Sequence, residues 1–219
     1  FWEMFCMERQ FSFRRILFLL CAIVAMAVGF ALQKITLNNR LSQRQVVQFQ
    51  KIINEKERFL QRFCSEVQAL PDSAKFSDYD VFRQKKTDWI QSQNITFFVF
   101  DNQKLAYWSD NTISPIYQLL KQDAKMFFSG NAWYLMHYGK QDNREFFILT
   151  LIKKQYPFEN EYIRNEFQKD FNVSSTAEVY NEPCDNTFYV NDLDGNFLLS
   201  LSSGSSSGTC AWQHEWALL

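Results

Sequence analysis

ITFFVFDNQKLAYWS, residues 95–109, has the pattern of a β-hairpin. The run ITFFVF (95–100) is built from β-branched and aromatic residues, which suit a pleated, half-buried surface. Asp101, Asn102, Gln103 and Lys104 make a polar turn, and LAYWS (105–109) returns as a second strand. Downstream the same logic predicts strand 133–138, a polar turn over 139–144, and strand 145–152. Its segment FFILTLI (146–152) is apolar on both faces and reads as a central, buried strand. A third hairpin joins 187–193 to 196–201 through the strong turn pair Asp194-Gly195.

Helical patterns separate these hairpins. Pro115 at a first helical position predicts a helix running to Phe128, where Ser129, Gly130 and Asn131 stop it. Pro157 predicts another over 158–171, with Glu159, Glu161, Arg164, Glu166, Lys169 and Asp170 on an exposed face. Residues 33–70 contain no Pro or Gly, and apolar residues recur at Phe49, Ile52, Ile53, Phe59, Leu60, Phe63, Val67 and Leu70. Steps of three and four define one long amphipathic helix, with Lys51, Glu55, Lys56, Glu57 and Arg58 as its solvated face. Pro71 ends it, and shorter helices are expected over 77–92. Helices around consecutive hairpins give an α+β domain on an antiparallel sheet.

ILFLLCAIVAMAVGFAL, residues 16–32, carries no charge and is bounded by Arg14 and Arg15 on one side and Lys34 on the other. At 17 residues it reaches the length of a membrane-crossing helix, roughly 17–25 residues. A signal peptide cleaved near Ala25 and Ala27, or a lipoprotein signal at Cys21, are the alternatives. The Arg pair favours an N-terminus inside the cytoplasm, with the remaining chain in the periplasm. The expected organisation is a cytoplasmic segment 1–15, a transmembrane helix 16–32, a membrane-proximal helix 33–70 and an extracytoplasmic sensor domain 71–203. Residues 204–219 follow as a flexible linker, where Trp212 and Trp216 begin either a second span or a frayed end.

The 219 residues are 47% hydrophobic and 21% charged with net charge −1, which provides a core and excludes the basic footprint of a nucleic-acid partner. Only His137 and His214 are present, so zinc-ligand spacing is missing. No catalytic or nucleotide-binding fingerprint occurs, and neither catalytic residues, a metal nor a cofactor are expected. Cys184 and Cys210 flank the last hairpin and would bridge in an oxidising compartment, while Cys64 falls at the edge of the helix stripe as a core residue. For ligand binding, Trp108, Asp110 and Asn111 leave the first hairpin, and Tyr134 and His137 lie on the next strand. Such a patch joins aromatic walls to placed polar groups. The competing account is a Trp108 that fills the core and an Asp110-Asn111 turn.

The anchor, long helix and paired hairpins resemble the periplasmic sensor regions of bacterial sensor histidine kinases. FFVFDNQKLAYWSDN (97–111) and LIKKQYPFENEYIRNEFQKDF (151–171) are similar to Bacteroides-type members, and the likeness covers most of residues 33–201. The resemblance implies an α+β chain with an N-terminal transmembrane helix, a long amphipathic helix and an antiparallel-sheet PAS-like or Cache-like sensor domain. It implies a homodimer in the bacterial inner membrane, answering an unknown small-molecule or envelope stimulus. A response regulator would be reached only through a kinase part that these residues lack. The alternative is a membrane-tethered periplasmic binding or assembly protein with no kinase.

Overall fold

The structure, a computed structural model, describes residues 20–29, 41–121 and 124–203. The chain divides into two units, Phe1–Arg40 and Leu41–Leu219. In the first, the described residues are the helical stretch 20–29. The expected transmembrane helix over 16–32 is corrected here: among the described residues, no helix is long and apolar enough to cross a membrane. The flanking parts of the expected span, 16–19 and 30–32, lie outside the described residues, as do 1–15, 33–40 and 204–219.

The second unit opens with helix α1, Gln43–Gln68. Its start is a capping box: Ser42 Oγ accepts from the Gln45 amide at 3.3 Å, while the Ser42 amide donates to Gln45 Oε1 at 2.9 Å. Val46, Phe49, Ile53, Leu60, Phe63, Cys64 and Val67 form the buried stripe. Lys56 and Glu57, expected on the solvated face, are instead each 3% exposed. Glu57 follows Ile53 by four residues and precedes Leu60 by three, so helical phase turns it inward. Helices α2 (Phe76–Lys85) and α3 (Thr87–Gln93) follow, and left-handed Asn94 (φ 47°) ends α3.

Strands β1 (Ile95–Asp101) and β2 (Lys104–Trp108) form the first hairpin, with Asn102 and Gln103 at φ 49° and 63° in the turn. After the short helix α4 (Tyr117–Leu120) come β3 (Met126–Ser129), β4 (Ala132–Gln141) and β5 (Arg144–Lys154). The antiparallel order is β2-β1-β5-β4-β3, so the FFILTLI strand is central as expected. A short strand β6 (Glu166–Phe167) adds to the end of β5. A second sheet of order β7-β9-β8 joins Glu178–Tyr180 (β7), Phe188–Asn191 (β8) and Phe197–Ser202 (β9).

Alternation divides the large sheet into two faces. Phe97, Val99, Leu135, Phe146 and Ile148 pack with Phe49, Ile53, Leu60 and Phe63 of α1, and Val179, Val190 and Leu199 of the small sheet belong to the same core. The other face buries Phe98, Phe100, Tyr134, Met136, Phe147 and Leu149 under Ile113 and Leu120 of the β2–β3 crossover.

Two expected helices are corrected. The helix to Phe128 is only Tyr117–Leu120, because the aromatic run before the left-handed Gly130-Asn131 turn pairs with β4 as β3. Residues 158–171 hold no α-helix but a loop, β6 and a 3₁₀ turn at Lys169–Phe171. Asn side chains capture the backbone there. Asn160 Oδ1 accepts from the amides of Tyr162 and Ile163, each at 2.8 Å, and Asn165 Oδ1 from that of Tyr156 at 2.6 Å.

Candidate functional site

The residues singled out in the sequence fall in separate places. Trp108 ends β2 opposite Phe98, 40% exposed, with its ring on edge to Phe76 of α2 at 5.4 Å. Asp110 organises the turn that follows. It accepts from Thr96 Oγ1 at 2.9 Å, Ser109 Oγ at 3.0 Å and the Thr112 amide at 2.8 Å, while Asn111 is exposed. Tyr134 is buried on the crossover-covered face, where burial and the negative charge of Asp110 push its hydroxyl up to about 12. His137 pairs with Ile148 and therefore points to the opposite face, toward α1. Asp110 and Tyr134 thus interact, whereas Trp108 and His137 do not join them around one cavity.

A cleft of about 350 Å³ does open beside His137. Strand β3 pairs with β4 from Ala132 to Leu135 and the Met136 amide donates to the Lys125 carbonyl at 2.7 Å, so the sheet edge opens at His137 and Tyr138, which with Met136 form one wall. Gln61 of α1, Leu120 and Lys121 at the end of α4, Ala124 and Lys125 before β3, and Asp194 of the β8–β9 turn complete it.

Two lysines dominate its electrostatics. Lys121 Nζ donates to Tyr138 Oη at 2.8 Å and to Glu145 Oε1. Glu145 also accepts from Tyr138 at 2.6 Å and from Tyr117 at 2.5 Å. Burial alone would raise this carboxyl, but the bonds from Lys121, Tyr117 and Tyr138 win and hold it near 2. Lys125 Nζ contacts Glu57 and Asp192, each at 2.8 Å, and Asp194 at 3.2 Å. Burial opposes its charge, yet these carboxylates raise its pKa above the ordinary lysine value.

Asp192 is fixed in turn by the amides of Asp194 and Asn196 at 2.9 and 2.8 Å, and Glu57 Oε2 accepts from the Leu193 amide at 2.9 Å. The β8–β9 turn is therefore bound directly to α1. His137 is half-buried and its pKa is lowered, chiefly by burial, so the ring is neutral at pH 7.

Among the described residues, no group of three or more His, Cys, Asp or Glu side chains could hold a metal ion. Cys64 is a free, buried thiol in α1 that burial pushes up to about 12. Cys184 is disulfide-bonded, and Cys210 lies outside the described residues. Comparison of the chain with protein-family models, with curated proteins and with solved structures finds no match.

Sequence reasoning missed Lys121, Lys125, Glu57, Glu145 and Asp192. The phase of the α1 stripe carried the signal for Glu57. Alternation with Phe147 and Leu149 carried it for Glu145. The lysines had no periodic signal, since they flank the α4–β3 connection.

Proposed function

We propose that this chain is a signal-input domain in which occupancy of the Lys121–Lys125 cleft is read by helix α1. The observation that carries this reading is the Lys125–Glu57 pair: the cleft wall and the buried face of α1 share one ion pair. A ligand that draws Lys125 toward itself weakens its hold on Glu57, and the two arrangements then differ in ligand affinity. Unequal affinity for two states is the requirement for signalling. The large antiparallel sheet, covered on one face by α1 and on the other by the β2–β3 crossover, supports a domain of this kind. The disulfide at Cys184 supports an oxidising, extracytoplasmic compartment.

The effector in this proposal is a two-component histidine kinase part carried elsewhere in a longer polypeptide. Sequencing the natural reading frame on both sides tests it. Phosphoacceptor and ATP-binding motifs are the expected result; a stop codon soon after Leu219 would favour a binding or assembly protein without a kinase. The input step is tested by hydrogen exchange on the whole chain. Lys125→Met should speed exchange in α1 around Glu57, and unchanged α1 protection would remove α1 as the reader.

A further inference from the structure

The sensor reading leaves open what acts on the cleft. Its lysines are satisfied where they stand: Lys125 spends its three donors on Glu57, Asp192 and Asp194, and Lys121 is bound to Glu145 and Tyr138. The imidazole of His137 is the unsatisfied group. It is half-buried in the cleft wall, and among the described residues nothing is hydrogen-bonded to its ring.

The elements around the cleft set the charge that this ring meets. Helix α1 brings Glu57 and, one turn on, the polar Gln61. The α4–β3 connection brings Lys121 and Lys125, and the β8–β9 turn brings Asp194 and, bound to Lys125, Asp192. Strand β5 offers only Ile148 opposite, and the Cys64 thiol, farther along α1 against Gly139, is kept neutral by burial. Burial disfavours the imidazolium most, Glu57 favours it and Lys125 opposes it, so the folded ring takes its proton below the usual 6.5.

Glu57 has two possible cations within this arrangement. With the ring neutral, Glu57 Oε1 holds Lys125 at 2.8 Å. A protonated ring has two N–H donors and a charge that attracts Glu57 and repels Lys125. Neither group is stranded by an exchange: Lys125 keeps Asp192 and Asp194, and Glu57 Oε2 keeps the Leu193 amide. Resting on the sensor reading, we infer that acid is the stimulus of this cleft, proton uptake by His137 drawing Glu57 Oε1 from Lys125 to the imidazolium. Helix α1 thereby trades its tie to the α4–β3 connection for a tie to β4. Below 6.5 the unfolded chain takes this proton more readily, so the acid arrangement is also the less stable one.

Two-dimensional NMR of the whole chain, titrated from about pH 8 to about pH 5, tests this. The chain has two histidines, His137 and His214, so the signal lost in His137→Gln identifies the ring. The Leu193 amide, which donates to Glu57, is the second probe. His137 should titrate with a midpoint below 6.5, and the Leu193 amide should shift with the same midpoint. That shift should be absent from His137→Gln.

A ring that stays neutral throughout, a Leu193 amide with no step at the His137 midpoint, or a step that survives in His137→Gln would overturn the inference. Hydrogen exchange in Lys125→Met separates it from the sensor reading. A Leu193 step together with unchanged α1 exchange in that variant upholds the acid exchange and removes α1 as its reader. Faster α1 exchange with no Leu193 step keeps the reader and overturns the proton as stimulus.

Discussion

Glu57 and Lys125 are 68 residues apart in the chain, yet their side chains meet at 2.8 Å where α1 faces the cleft. Lys125 simultaneously neutralises Asp192, so one cation serves two buried carboxylates. Breaking such a group by removing one partner leaves uncompensated charge out of water, which is far worse than never having built it.

Lys125→Met should therefore destabilise the domain by roughly 3–5 kcal/mol. Chemical denaturation monitored by circular dichroism measures this. Replacing Glu57 by Gln should be milder, because the Leu193 amide retains an acceptor. A loss below about 1 kcal/mol for Lys125→Met, the range of an exposed pair, would mean that the cluster is solvated.

Glu145 sets an acid limit. Its carboxyl is held near 2 in the folded chain against an ordinary 4.5, so its contribution is complete above pH 4.5. Between pH 4.5 and 2 the unfolded chain binds the proton more readily, and that contribution is lost as pH falls. Melting temperature followed across this interval should drop less steeply in Glu145→Gln than in the parent.

Lys153 acts in the alkaline range and with the opposite sign. Its ammonium is 3% exposed, donates to the Ala177 carbonyl at 2.5 Å, and burial lowers its pKa from 10.5 to about 8. Between those values the unfolded chain holds more protons, so this group makes stability rise with pH from about 8 to 10.5. The full effect is about 3 kcal/mol. At pH 7, Lys153→Met should be neutral to stabilising, and the alkaline rise should vanish; denaturation midpoints at pH 7 and pH 10 read both.

Gly139 lets α1 approach β4. A Cβ there would lie 2.4 Å from Cys64 Sγ and 2.9 Å from Gln68 Nε2. Gly139→Ala should destabilise by roughly 1–3 kcal/mol through overpacking. Adding Cys64→Ala should recover part of that loss, and a double-mutant cycle reads the coupling. Strict additivity would place the strain elsewhere.

Elements that announce themselves by local pattern were legible. The hairpin at Asn102-Gln103, the central FFILTLI strand and the α1 stripe all follow from residue type and period. Failures occurred where a distant partner overrides a local signal. MFFS after Pro115 could continue a helix, but Met126 pairs with Leu135 instead. The apolar run at 16–32 matched a membrane span in composition, while no helix among the described residues is long and apolar enough to cross a membrane. The cleft was least legible, since Lys125, Glu57 and Asp192 meet only once two sheets and α1 are assembled.

Strand β5 is the last of the five principal strands to be made and the one on which the others depend. Ile95 cannot find Thr150, nor Leu135 its partner in that same strand, until the ribosome has released it. At roughly 5–20 residues per second, the β1–β2 hairpin spends seconds with an unpaired apolar edge. Closure then waits on contacts distant in sequence, the slow kind. A nascent chain of this design is exposed to aggregation before β5 emerges and protected soon after. Its folding yield in a cell should therefore respond more to translation speed between β1 and β5 than to speed anywhere downstream.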